Sequence, residues 1–184
     1  MMEGTLVVRR MLALTVLVIL ATSARSAPAY AAPAGGEAPV RLVIPALAVD
    51  ADVAGVSLNE DLTMPAPPSA ALVAWYTYSA TAGTDGNVVL AGHRDWQGQR
   101  GIFHALDRVA EGELLWLQDA TSVWYLYAVV WSASYPEESA PIEALVGATS
   151  RPSMTLITCS GAFDRSIGRY LERRVVRAEL VPTI

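Results

Sequence analysis

The sequence predicts an all-β domain, closed or nearly closed into a barrel, on three observations. Seven or eight short runs are rich in β-branched and aromatic residues, and only two brief stretches show helical spacing. No amphipathic helix of the roughly 10–15 residues that a doubly wound fold requires lies between the strands. With 184 residues, 53% hydrophobic and 17% charged, the chain is long enough for one domain with a core and shows no sign of a second.

The strands are expected in this order. Val40–Pro45 reads as the first, and Val49–Val56 continues extended until Gly55 weakens it. Met64-Pro65-Ala66-Pro67-Pro68 is a proline-rich loop, since proline removes ladder donors. Val73–Tyr78 has strand composition, and Ala82–Gly86 is a turn leading into the strand Asn87–His93. Arg94–Gly101 reads as a polar loop. Ile102, Phe103, Leu106 and Val109 share one face at helical spacing, so a short helix is predicted over 102–109. Leu114–Leu117 starts another strand, and Val123–Tyr135 is apolar on both faces, as in a strand covered on both sides. Pro141–Gly147 reads as a helical turn opened by proline and closed by glycine. Thr155–Cys159 is a buried strand that ends at the only cysteine, 162–171 a loop, and Arg174–Val181 the closing strand.

Upstream, Arg9-Arg10, the apolar run Met11–Ala24 and Ala29-Tyr30-Ala31 form the three parts of a secretory leader. Residues 1–31 are therefore expected to be a signal peptide or, counted from Leu6, an N-terminal membrane anchor. Residues 32–39 are small, with Pro and Gly, and read as a flexible linker; residues 40–184 form the domain. An exported chain with one cysteine forms no internal disulfide, so Cys159 is either inert in the core or kept for its chemistry.

Charge narrows the function classes. All 13 basic residues are Arg, which excludes lysine Schiff bases and Ser-Lys dyads. Net charge is −5, and without Arg9, Arg10, Arg25 and Glu3 of the leader it is −7, from 10 basic and 17 acidic residues. That balance disfavours a nucleic-acid partner.

His93 and Cys159 each end an apolar strand beside or just before a glycine, Gly92 and Gly161. Neighbouring strands would bring both side chains to one rim of the barrel. An imidazole that exchanges a proton with a thiol produces a nucleophile for acyl carbonyls and an acid for the leaving amine, which is the chemistry of acyl transfer. The oxyanion needs donors, and Arg165, Arg169, Arg173 and Arg174 lie close in sequence. Arg173, at the start of the last strand, is best placed to reach back toward the cysteine; each arginine taken alone also reads as a solvated surface charge. His104, between Phe103 and Leu106, reads as a half-buried structural residue. With no H-x₃-H or C-x₂-C spacing, no metal site or cofactor is expected.

Leu90-Ala91-Gly92-His93, Thr155-Leu156-Ile157-Thr158-Cys159 and Arg173 followed by Val175-Val176 and Ala178 together resemble the sortases, cysteine transpeptidases of the outer face of Gram-positive envelopes. Leu42-Val43-Ile44-Pro45 with Val49-Asp50-Ala51 is similar to the family's opening strand, and the similarity spans about Val40 to Leu180. The segments Cys159–Asp164 and Pro68–Tyr76 look most like class F members from actinobacteria. The resemblance implies an eight-stranded sortase barrel with one or two short helices, Cys159 as nucleophile, His93 as general acid/base and Arg173 as oxyanion or substrate stabiliser. Arg169 and Arg174 remain alternatives for that last role. It also implies an LPXTG-like sorting signal as substrate, an acyl-thioester intermediate, and an amine (a cell-wall precursor or a pilin) or water as acceptor. L,D-transpeptidases and papain-like peptidases order Cys and His differently. The remaining alternative is a non-enzymatic exported barrel that binds peptide or glycan in an aromatic-lined groove.

Overall fold

A computed structural model describes residues 36–182. The expected signal peptide or anchor of residues 1–31, and residues 32–35 of the expected linker, lie outside the described residues. Ten strands form, β1 Pro39–Ile44, β2 Val49–Val56, β3 Val73–Tyr76, β4 Asn87–Ala91, β5 Asp95–Trp96, β6 Gln99–Arg100, β7 Leu114–Asp119, β8 Trp124–Pro136, β9 Ser153–Asp164 and β10 Arg169–Leu180. Eight of them close a barrel in the order β1-β2-β3-β4-β9-β10-β8-β7, with β7 returning to β1, while β5 and β6 form a separate small hairpin. The β2–β3 and β4–β9 pairs are parallel and the other pairs antiparallel. This is the strand-dominated, eight-stranded barrel that the sequence and its resemblance led one to expect.

Alternation along the strands sorts side chains to the two faces of the wall. Val88, Leu90, Met154, Leu156, Val176 and Ala178 point inward with Leu42, Ile44, Leu115, Leu117 and Tyr127 to make the core. Val89, Ile157 and Val175 take the opposite face. Val89 and Val175 are buried and Ile157 partly so, because the one α-helix among the described residues, α1 (Ile142–Val146), packs its buried Leu145 outside the barrel. Both faces of β4, β9 and β10 are thus covered, which is why these strands read as continuous apolar runs rather than as alternating ones. Three buried polar side chains anchor α1. Asn87 Nδ2 donates to the carbonyls of Leu145 (3.2 Å) and Gly147 (3.1 Å), Thr155 Oγ1 donates to Asn87 Oδ1 (2.8 Å), and Arg177 Nη2 donates to Leu145 O (2.8 Å).

Three expectations are corrected. The stretch 102–109 is a turn followed by a 3₁₀ helix at Leu106–Arg108: Ile102, Phe103, Leu106 and Val109 all pack on the core, but over one tight turn, so apolar spacing alone misread the geometry. Arg94–Gly101 is the β5–β6 hairpin, with Gln97 and Gly98 both at positive φ as a two-residue type I′ turn requires. The largest departure is at the cysteine. β9 does not end there but continues to Asp164, and β10 begins at Arg169, so the 162–171 loop shrinks to a four-residue turn. A bulge carries the pairing through: Ser160 faces Glu172 while Phe163 faces Tyr170, so β9 has one residue more than β10 in between. Gly161 makes the bulge at φ +75°, where a Cβ would stand 2.7 Å from Glu172 Cδ.

The β7–β8 turn depends on one carboxylate. Asp119, 2% exposed, accepts bonds from Thr121 N (2.9 Å), Thr121 Oγ1 (2.8 Å), Val123 N (3.0 Å) and Tyr125 Oη (3.0 Å). Burial pushes its pKa up, but these donors outweigh burial and hold it below the usual carboxylate range. Asp119→Ala is expected to lower unfolding stability by roughly 2 to 3 kcal/mol near neutrality, since it orphans several donors. Because the folded pKa is the lower one, the contribution is present above the unfolded value of about 4 and is lost as pH falls through the folded value. Urea midpoints of the wild type and variant should therefore converge in acid.

Candidate functional site

Cys159 lies on the outer face of β9, in line with Ile157 and directly opposite Arg173 on β10. The expected meeting place was a barrel rim. The structure instead sets these side chains on the outside of the wall, part-way along β9 and β10, because Leu156 and Val176 take the inward positions. His93 follows β4 by two residues. Gly92 N donates to Ile157 O (3.1 Å) and Thr158 Oγ1 donates to Gly92 O (2.8 Å), which ties the approach to His93 against the approach to Cys159. From the other side, Phe103 N donates to His93 O (2.9 Å), and the chain at Gly101 passes so close that a Cβ there would lie 2.2 Å from that oxygen.

The imidazole has a defined tautomer. Its Nε2 is 2.8 Å from Pro67 O, and since a carbonyl only accepts, Nε2–H is the donor. In the neutral ring Nδ1 is then the free base. Trp96 packs on the ring with centroids 4.4 Å apart, so the β5–β6 hairpin helps hold its plane.

His93, Cys159 and Arg173 all line one cavity of about 250 Å³. Its walls are largely apolar, with Met64 and Pro67 from the proline-rich loop and Ile142, Leu145 and Val146 from α1; Tyr76 is its one large aromatic side chain. Such a trough suits an extended peptide with small or aliphatic residues. A second cleft also reaches Cys159, bounded by Trp96, Phe163, Arg169 and Tyr170.

Cys159 is partly buried. Burial pushes its thiol above the ordinary cysteine pKa; Arg173 and Arg94 oppose the shift, while Glu137 and Asp95 add to it. The net shift favours the thiol over the thiolate.

The candidate arginines separate by position. Arg173 Nη1 donates to the carbonyls of Tyr170 (3.1 Å) and Glu172 (3.0 Å), and Nη2 donates to Glu137 Oε1. Among the described residues its Nε–H has no acceptor. Arg169 is half exposed, with Nε 3.7 Å from Glu137 Oε2. Arg174 pairs across from Thr158, so it takes the face of the strand opposite to Cys159 and Arg173. Arg165 sits in the β9–β10 turn. His104 lies away from the cavity, its Nδ1 3.3 Å from both Arg94 O and Asp95 Oδ1. Among the described residues no group of three or more His, Cys, Asp or Glu side chains could hold a metal ion, and no helix is long and apolar enough to cross a membrane.

Sequence reasoning missed Glu137, Trp96, Asn87 and the Pro67 carbonyl. Only Trp96 carried a local signal, as an aromatic three residues past the histidine; the others act through contacts 26 to 68 residues distant in sequence.

Residues 42–181 match the family model described as a sortase domain. A comparison with curated proteins gave no match. Among solved structures, sortase A of Listeria monocytogenes is 22% identical with a TM-score of 0.60, over 78% of this chain and 86% of that one. Sortase C-1 of Actinomyces oris is 22% identical with a TM-score of 0.59, over 79% and 76%. A sortase D5 transpeptidase of Clostridium perfringens is 18% identical with a TM-score of 0.58, over 80% and 81%. At these identities the solved structures speak for the fold, and the family model for membership.

Alkylation of Cys159 by iodoacetamide should have an apparent pKa above the ordinary cysteine value of about 8.5. Arg173→Ala should raise it further, since that arginine favours the thiolate. A midpoint below the ordinary value would contradict the burial argument.

Proposed function

The chain belongs to the sortase family of cysteine transpeptidases, and from that premise we propose that Cys159 is the nucleophile, His93 the general acid/base and Arg173 the oxyanion stabiliser. One observation carries this assignment: Cys159 and Arg173 are direct cross-strand partners on the face where the loop after β4 delivers His93, above a single apolar trough. Membership makes the chain an enzyme, so the non-catalytic binding barrel falls away.

His93 Nδ1 takes the thiol proton, and the thiolate adds to the scissile carbonyl of a peptide lying in the trough. Negative charge then forms on the carbonyl oxygen, where Arg173 can offer its Nε–H and the second Nη2–H. Collapse expels the C-terminal part as an amine, protonated by the imidazolium, and leaves the N-terminal part as a thioester on Cys159. With the trough filled by the acyl part, an amine or water reaches the thioester through the second cleft and gives its proton to His93. The thiolate leaves and is reprotonated, which restores the resting enzyme.

The peptide is an LPXTG-like sorting signal cut between Thr and Gly, and the acceptor is an amine on a cell-wall precursor or a pilin. The apolar walls at Met64, Pro67 and Ile142 support a Leu-Pro-bearing ligand. Class F is the branch favoured by the Cys159–Asp164 and Pro68–Tyr76 segments. Residues 1–31 act as leader or anchor and 32–39 as tether, which places the domain, 40–184, on the outer face of the membrane, in the wall or in the medium; the basic pair, apolar run and A-x-A site support that reading.

Cys159→Ala and His93→Ala should each abolish cleavage of a fluorogenic LPXTG peptide, and turnover by either variant would overturn the assignment. Arg173→Ala should lower kcat by about 10²–10³-fold, the usual cost of one oxyanion donor. Arg174→Ala, on the opposite face, should leave kcat within about threefold if the protein folds.

A further inference from the structure

Resting on the role proposed for Arg173, we infer that Glu137 is the positioning residue that aims this guanidinium, and that it couples the arginine to the wall of the peptide trough. Glu137 stands just past β8, at the start of the segment that runs through α1. One carboxylate oxygen binds Arg173 Nη2, while the other lies 3.7 Å from Arg169 Nε. The two carbonyls of Tyr170 and Glu172 hold Nη1 of Arg173. Three acceptors therefore immobilise one edge of the guanidinium and leave the Nε side for a ligand. An arginine has many rotamers, and an unclamped one at the edge of a cleft would spend most of its time elsewhere.

An incidental surface ion pair would contribute little. This one differs in its surroundings: both side chains are only about a quarter to a third exposed, at 26% and 30%. The chain that follows Glu137 supplies Ala140, Ile142, Leu145 and Val146 to the trough. The far end of that segment is fixed by Asn87, Thr155 and Arg177 through the carbonyls of Leu145 and Gly147. At the near end, where Pro136 already pairs with Glu172 on β10, Glu137 adds a side-chain tie that fastens the wall to the guanidinium itself. A peptide that displaces the wall therefore acts on the guanidinium through this carboxylate as well as through the paired strands. The charged groups acting on the thiol are Arg173, Glu137, Arg94 and Asp95, so removing Glu137 changes the field at Cys159 as well as the aim of Arg173.

Glu137→Gln in the full chain should lower kcat for the fluorogenic peptide about tenfold, the scale of a misplaced catalytic group, with KM changed less than about twofold. It should also shift the pH profile of Cys159 alkylation to lower pH, because a neighbouring negative charge is gone while Arg173 stays. In an Arg173→Ala background Glu137→Gln should cause no further loss of kcat, since its positioning action runs through that arginine. Glu137→Asp keeps the charge one methylene farther back and should recover part of the loss; it also serves as the test if the Gln variant does not fold. Additive losses in the double variant, or wild-type kcat with an unshifted alkylation profile, would overturn the inference. Turnover by Cys159→Ala would instead sink the assignment beneath it.

Discussion

The register between β9 and its two neighbours is the constraint on which this molecule depends. Leu156 lies opposite Leu90 on β4 and Val176 on β10, all three buried in the core, and that match sets every other residue of the three strands. A one-residue slip would turn Leu156 to the outside and Cys159 to the inside. The hydrophobic core thus fixes where the thiol points, and Arg173 follows because it is the cross-strand partner in the same register. The site needs no separate device to bring sulfur and guanidinium together; the force that closes the barrel also aligns them.

Past Cys159 the requirement changes from packing to divergence. The Gly161 bulge lets β9 and β10 continue as a ribbon beyond the core, and it places the carbonyls of Tyr170 and Glu172 within reach of Arg173. On the adjoining side, the turn after β4 is held by Phe103 and by the closeness of Gly101, and Pro67 O selects the imidazole tautomer. The backbone therefore supplies much of the preorganisation: three carbonyls orient the two nitrogen-bearing side chains. Two of the three, at Tyr170 and Glu172, lie on a paired strand, where backbone groups are good anchors for a reacting geometry.

The trough is built on the outside of the wall, and this explains a sequence feature that reads ambiguously by itself. Val89, Ile157 and Val175 are apolar although they face away from the core, because α1 and the proline-rich loop cover them. Covering an outer face with so short a helix requires strong tethers, and buried Asn87, Thr155 and Arg177 provide them by saturating the carbonyls at its end. The price is a buried guanidinium whose Nε has no partner among the described residues.

By itself, the sequence determined the class of fold, the order of the barrel strands along the chain, and the two side chains proposed as nucleophile and base. Strand periodicity and residue type are local properties: Asn87–His93 and Thr155–Cys159 announce themselves by composition, and a lone cysteine beside a glycine turn stands out. Tertiary structure alone decided which face of the wall bears the site, that β9 runs on through a bulge, that 102–109 coils tightly instead of forming an α-helix, and which arginine shares a face with the thiol. Arg173 and Arg174 are adjacent in sequence and equivalent in chemistry. Only the pairing of β10 with β9 sends one to the cysteine and the other to the opposite side, because a strand alternates its side chains about a plane that the rest of the fold has to define.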